Sequence, residues 1–261
     1  GNGMRVALVG DEFPPDIGGV STYTRELSRA LAEEGLEVRL LTHWHRGQPF
    51  RECREGVEIR RFKGFILPRF NRAVSPVLFA QLHREIKHGG YEVVHSLDLY
   101  TSMGCLAVWS AKKKKIPSVL TCHTYLKPSA LIRLSHSFSR KILRWVNRII
   151  AANYPAKKFC VWLGAEESKI RIVFNGVDTA LFSPKKNVKS IRKELGLKDE
   201  PLIVTASRLT KRKGVDRLIK AFSLVLKSHP NSKLIIAGWG AELNRLRNLA
   251  ESLGIKDSVI F

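Results

Sequence analysis

The alternation of short apolar runs with longer segments of helical period constrains this chain more than any other feature. Runs rich in Val, Ile and Leu occupy residues 5–9, 37–42, 57–62, 93–95, 118–122, 148–152 and 171–174. A continuous apolar run bounded by turns suits a strand buried on both faces, and such strands belong to parallel sheets covered by helices. Between the first two runs, residues 22–34 carry Leu27, Ala30 and Leu31 at helical spacing and stop at Gly35, which predicts a glycine just past a helix end. The pattern is that of repeated βαβ units.

After Phe182, Ser183 and Pro184 comes a polar stretch at 185–189, and then the alternation restarts. Strands are predicted at 202–206, at 234–237 and from Val259, with helices at 215–227 and 241–253. This predicts an α/β chain of two Rossmann-like domains, 1–184 complete and 185–261 the first part of a second. A doubly wound sheet usually carries two βαβαβ halves, so the chain is expected to stop inside its second domain. With 44% hydrophobic and 26% charged residues, disordered and collagen-like classes are excluded. No run approaches the ~18 apolar residues of a membrane span and no basic-then-apolar leader opens the chain, so a soluble cytoplasmic protein is expected. Cys53, Cys105, Cys122 and Cys160 form no CxxC pair and are expected to be buried, reduced thiols.

Lys and Arg number 45 against 23 Asp and Glu, a net charge of +22 spread through both halves. Such a surface seeks an anionic partner: nucleic acid, an acidic membrane face or a phosphorylated small molecule. No helix-turn-helix, zinc finger or RNA-binding aromatic signature is present, so nucleic acid is set aside. No two aspartates stand two apart, no Walker loop occurs, and His43 and His45 flank Trp44 without further ligand spacing. Neither a metal nor a cofactor is implied.

Five stretches can carry chemistry. The loop FPPDIGGV at 13–20 leaves the first strand and leads to a helix expected to start at Ser21 or Thr22; its glycines can bring backbone N–H groups to a phosphate, or simply form a tight turn with Ser21 as N-cap. The run SRLTKRKG at 207–214 follows a buried strand, where Arg and Lys can clamp a diphosphate or merely solvate a helix start. The segment TCHTY at 121–125 places His123 at a strand's carboxyl end, as ligand contact, acid–base group or structural residue. FNGVD at 174–178 by itself says only that the chain turns. The stretch 126–149 is amphipathic and basic, with Leu131, Leu134, Phe138, Ile142, Trp145 and Ile149 on one face, suited to an anionic membrane surface or to packing on its own sheet.

In this order FPPDIGGVSTYTREL, EVVHS, TCHTY, VFNGVDTALFSP and SRLTKRKGVDRLIKAF followed by LIIAGWG resemble glycosyltransferase family 4, retaining enzymes of the GT-B fold, over nearly all of Met4 to Phe261. The resemblance implies transfer of a sugar from a UDP- or GDP-sugar to a lipid or saccharide acceptor, without a metal. It implies that Gly18 and Gly19 lie beside the donor diphosphate, that Arg208 and Lys213 hold its phosphates, and that His123 lines the catalytic centre. Ser21, Tyr23 and Asn71 are implied on the acceptor side. The family's Glu-x7-Glu motif, which contacts the donor sugar, is absent, and Leu97 stands where many members carry a second histidine after His95. The loop at 18–23, the His123 segment and the basic stretch look most like the branch that glycosylates membrane phospholipids, such as phosphatidylinositol mannosyltransferases and the GPI-anchor N-acetylglucosaminyltransferase. That branch implies an anionic membrane surface as a partner. Soluble-acceptor relatives share the same motifs, and a non-catalytic half that only binds acceptor or membrane is the alternative.

Overall fold

The computed structural model describes residues 3–16, 18–67, 72–123, 130–184 and 189–261. It divides into two compact units, Gly1–Val177 and Asp178–Phe261, a seam a few residues ahead of Pro184. The first unit runs β1 (Arg5–Val9), α1 (Gly19–Glu33), β2 (Glu37–His43), β3 (Arg51–Arg54), β4 (Val57–Phe62), β5 (Phe65–Leu67), β6 (Arg72–Val74), α2 (Pro76–His88), β7 (Val93–Ser96), α3 (Ser102–Lys114), β8 (Ser118–Cys122), α4 (Ala130–Trp145), β9 (Arg148–Ala151), α5 (Tyr154–Trp162) and β10 (Ile170–Ile172). Eight of these strands form one sheet in the order β10-β9-β8-β7-β1-β2-β4-β3, and β5 pairs with β6 in a small antiparallel hairpin.

The expected parallel sheet is present, and its apolar runs explain it. In β1, Val6, Ala7, Leu8 and Val9 are all buried, because α2 and α3 cover one face and α1 the other. Leu78, Leu82, Ile86 and Met103 pack on the Ala7 and Val9 side. Leu40 and Ile59, with Tyr23, Leu27 and Leu31 of α1, pack on the Val6 and Leu8 side. A third cluster, with Leu120, Ile142, Leu143, Val146 and Ile149, joins α4 and α5 to the far strands. The C′ glycine is found at Gly35, with φ +85° and its N–H donating to the Ala32 carbonyl.

Three expectations are corrected. Helix α1 begins at Gly19 with Gly18 as its N-cap, so Ser21 does not cap it but sits buried in its first turn. Strand β3 is antiparallel, joined to β4 by a two-residue turn in which Glu55 and Gly56 both have positive φ. Its sequence RECR is charged because it is an edge strand, so no apolar run announces it. For the same reason Cys53 is exposed; Cys105 is half-buried, and only Cys122 and Cys160 are in the interior.

The second unit holds α6 (Lys189–Glu194), β11 (Leu202–Ala206), α7 (Val215–Ser228), β12 (Lys233–Ala237), α8 (Leu243–Ser252) and β13 (Val259–Ile260). Its three strands are parallel in the order β11-β12-β13. Val215, Ile219 and Phe222 of α7 and Leu246 of α8 close over Leu234 and Ile236. No helix among the described residues is long and apolar enough to cross a membrane.

A charged network ties α2 to the sheet. Glu85 accepts from Tyr91 Oη at 2.6 Å, Arg39 Nη1 at 3.0 Å and Arg60 Nη1 at 2.5 Å, and both arginines also donate to Glu58. Burial works against the charged form of Glu85, but the Tyr91 hydrogen bond and the Arg60 and Arg39 charges outweigh it and hold the carboxyl below its ordinary value. A depressed folded-state pKa contributes stability that is fully present above the unfolded value of about 4.3 and is lost as pH falls through the folded value. Urea titrations from pH 7 downward should therefore show the native protein losing stability more steeply than Glu85→Gln below about pH 5.

Candidate functional site

In open parallel sheets the carboxyl ends of the strands face the ligand crevice, because the loops leaving them gather at one edge. At that edge of the first unit, His95 near the end of β7, Thr121 near the end of β8 and His123 just past β8 come together with Tyr23 of α1. His95 Nε2 lies 2.7 Å from Thr121 Oγ1. The ring of Tyr23 meets that of His123 edge-on, centroids 4.3 Å apart at 73°. Burial raises the pKa of the Tyr23 hydroxyl, and the neighbouring Thr121 side chain offsets part of that rise.

Both imidazoles are neutral at pH 7. Burial, with a smaller contribution from the charge of His123, pushes His95 down to about 4. Burial also lowers His123. Among the described residues, the buried Nε2 of His123 has no hydrogen-bond partner. A buried polar atom of this kind costs free energy unless something pairs with it, so the site presents one unpaired ring nitrogen to an incoming hydroxyl or other polar group.

The entrance to α1 is built beside β1. Asp11, buried after β1, accepts from Met103 N at 3.2 Å and from Ser102 Oγ at 3.3 Å, which fastens the strand exit to the start of α3. Neither Gly18 nor Gly19 has the positive φ that demands glycine, and a Cβ added at Gly19 would meet nothing within 4 Å. The room at Gly19 lies at the N-terminus of α1, where N–H groups and the helix dipole favour an anion, while a Cβ at Gly18 would stand 3.4 Å from the Glu12 carboxylate. Asn71 lies outside the described residues, as do Thr124 and Tyr125.

In the second unit Arg208 and Lys213 are both exposed on the loop leaving β11. That loop is fastened to the one leaving β12: Ser207 N donates to Ala237 O at 3.0 Å, Leu209 N to Trp239 O at 2.9 Å and Glu242 N to Leu209 O at 3.1 Å. Gly238, at φ +148°, passes so close that a Cβ would run into the Ser207 carbonyl oxygen. Leu209 is fully buried beneath, leaving the basic side chains outside.

Two other surfaces stand apart from this corner. In α4 it is Ser139, Ile142 and Leu143, with Val146 just past its end, that are buried, so its inner face packs on the sheet. Arg140, Lys141 and Arg144 are exposed, and Phe138 remains 57% exposed; the side chains of Leu131 and Leu134 lie outside the described part. A groove of about 1240 Å³ runs along α2 and β4, lined by Arg39, Arg60, Arg61 and Arg84 among others, and includes none of Tyr23, His95, Thr121 or His123. Many of its charges are already paired with Glu58, Glu85 and Glu52.

Sequence reasoning does not single out His95 and Thr121 as site residues. The available signal is their place near the ends of neighbouring parallel strands, with His95 opposite Val119 in the register.

A large parallel sheet with its chemistry-bearing side chains at the carboxyl edge, followed by a second parallel unit with a basic strand-exit loop, is the build of a GT-B glycosyltransferase. The family model Glycosyltransferase Family 4 matches residues 17–181, and that of Glycosyl transferases group 1 matches 187–261. The chain belongs to glycosyltransferase family 4. It is 28% identical to alpha-monoglucosyldiacylglycerol synthase of Streptococcus pneumoniae over 99% of this chain and 61% of that protein. It is 27% identical to a phosphatidylinositol N-acetylglucosaminyltransferase subunit of Arabidopsis thaliana, over 98% of this chain and 57% of that protein. The chain thus spans about three fifths of the length of these relatives. The crystal structure of Anabaena HepE in complex with UDP has the same fold, with a TM-score of 0.76 at 17% identity over 99% of this chain and 68% of that one.

The tight seating of Gly238 yields a test. Gly238→Ala should destabilise the second unit by about 2–4 kcal/mol through backbone strain and overpacking. Hydrogen exchange of amides at 202–237 should accelerate while amides of β1 and β7 are unaffected.

Proposed function

We propose that the complete protein is a retaining glycosyltransferase that moves a sugar from a UDP- or GDP-sugar to a membrane lipid acceptor. The observation that carries this reading is His123, neutral and half-buried, with an Nε2 unpaired among the described residues, beside Tyr23 at the carboxyl edge of the sheet. His123 is assigned to the reaction centre, in contact with the sugar being transferred. Ser21, Tyr23 and Asn71 are assigned to the acceptor, and Gly18 and Gly19 to the donor diphosphate.

Breaking the bond between the sugar and the diphosphate leaves negative charge on the departing phosphate. Arg208 and Lys213 are assigned to stabilising that charge in the transition state, which is the task a metal performs elsewhere. The second unit's basic loop is thus assigned to the donor, and Ser21, Tyr23 and Asn71 of the first unit to the acceptor. The Glu-x7-Glu pair that the family uses on the donor sugar is not among these residues, so the 261-residue chain by itself is assigned no turnover.

A lipid acceptor is supported by the names of the two relatives, both of which state one, and by the surface. Phe138 and Trp162 are exposed beside exposed Arg140, Lys141 and Lys158. Aromatic rings suit the headgroup boundary, and each basic residue near an anionic leaflet adds about 1 kcal/mol of attraction. The working place is accordingly an anionic cytoplasmic membrane face.

Nucleotide release from UDP- and GDP-sugars, measured on the complete protein with phosphatidylinositol or diacylglycerol vesicles, tests the activity. His123→Ala and Arg208→Ala should each lower kcat/KM by about 100-fold or more with the fold intact. No release from any donor with lipid or saccharide acceptors sinks the reading. The double variant Phe138→Asp, Trp162→Ala should lose binding to anionic vesicles in flotation; unchanged flotation removes the membrane part alone.

A further inference from the structure

The sequence spacing around His43 and His45 offers two imidazoles and no third ligand. The fold supplies one from another loop. Asp16, in the segment between β1 and α1, approaches both: its Oδ2 is 3.1 Å from His45 Nε2 and 3.8 Å from His43 Nε2. The two rings lie 4.3 Å apart, and one ligand atom from each of the three residues falls within 4.8 Å of the others.

We infer that Asp16, His43 and His45 form a site for a divalent cation of the zinc type, which locks the loop entering α1 onto the end of β2. Zinc binds imidazole nitrogen and carboxylate oxygen at about 2.0–2.2 Å, so ligands at tetrahedral angles stand about 3.4 Å apart. The two Asp16 separations, 3.1 and 3.8 Å, bracket that value, and all three ligand atoms lie within 4.8 Å of one another.

The unpaired polar atoms of this corner point the same way. His43 is 1% exposed, and neither of its ring nitrogens has a hydrogen-bond partner among the described residues. The Asp11 backbone faces the ring without reaching hydrogen-bond geometry. Among the described residues, two of the five buried side-chain polar atoms that lack a partner are the ring nitrogens of His43. A buried imidazole with both nitrogens uncompensated is unfavourable, and a cation bound to His43 Nε2 would satisfy one of them.

The loop is braced for such a role. Phe13 is buried, Asp16 N donates to Phe13 O at 3.0 Å, and the indole of Trp44 donates to Gln48 O at 2.7 Å. Two imidazoles and one carboxylate leave a fourth tetrahedral position for water or another oxygen ligand. No step of sugar transfer is routed through this ion, which acts on the loop that carries Gly18.

The test is zinc chloride titration into the full protein stripped with a chelator and carrying Cys53→Ser, which removes the exposed thiol. Calorimetry should show one zinc per chain, and cobalt in its place should give visible absorption of tetrahedral intensity. His45→Ala and Asp16→Asn, at partly exposed positions where the fold should survive, should each weaken zinc binding by more than the roughly 10- to 100-fold that loss of an outer-shell partner causes. Zinc should also slow hydrogen exchange at residues 13–18 and 43–48 in the native chain and not in His45→Ala. A native chain without a saturable zinc site overturns the assignment, and so does undiminished binding by both variants. These readouts involve no sugar transfer, so either outcome leaves the transferase reading where it stands.

Discussion

Everything in the first unit depends on the parallel pairing of β1 with β2 and β7. Parallel strands buried on both faces must satisfy their backbone groups within the ladder, since neither helix-covered face admits water. That requirement sets the direction of the neighbours, and a shared direction sends their carboxyl ends to one edge. His95, Thr121 and His123 meet there, beside Tyr23 of α1, because they stand at or near the carboxyl ends of strands that run the same way. The catalytic assignment is thus a consequence of sheet polarity before it concerns any particular side chain.

The price of that arrangement is burial of imidazoles. His95 and His123 are kept neutral by desolvation, which suits them to share hydrogen bonds and not to carry fixed positive charge. Positive charge is supplied separately, by exposed Arg and Lys on strand-exit loops. In the second unit the close packing of Gly238 against Ser207 buries Leu209 and keeps the basic side chains in solvent, where a phosphate can reach them. Scaffold and charge are divided between residues a few positions apart.

The +22 charge therefore has more than one fate. Around α2, arginines are paired with Glu58 and Glu85 and serve the fold. On α4 and on the loop after β11 they stay exposed and are available to an anionic substrate or surface. Composition reports only the sum of these populations, because pairing depends on which strands and helices are brought side by side.

The sequence by itself determined the alternation of elements, the parallel core, the C′ glycine at Gly35, the position of His123 at a strand end and those of Arg208 and Lys213 on a strand-exit loop. These follow from periodicity and turn chemistry, which act over a few residues. The tertiary structure decided what depends on distant segments. It moved the start of α1 to Gly19, folded the charged β3 back as an edge strand and set Tyr23 against His123 through the packing of α1 on the sheet. It joined His95 to Thr121 through the register of β7 and β8. Asp16 reaches His43 and His45 only because β1 and β2 are neighbours, so the loops leaving them share one corner. No spacing along the chain encodes that proximity, since it arises from strand order and not from separation in sequence.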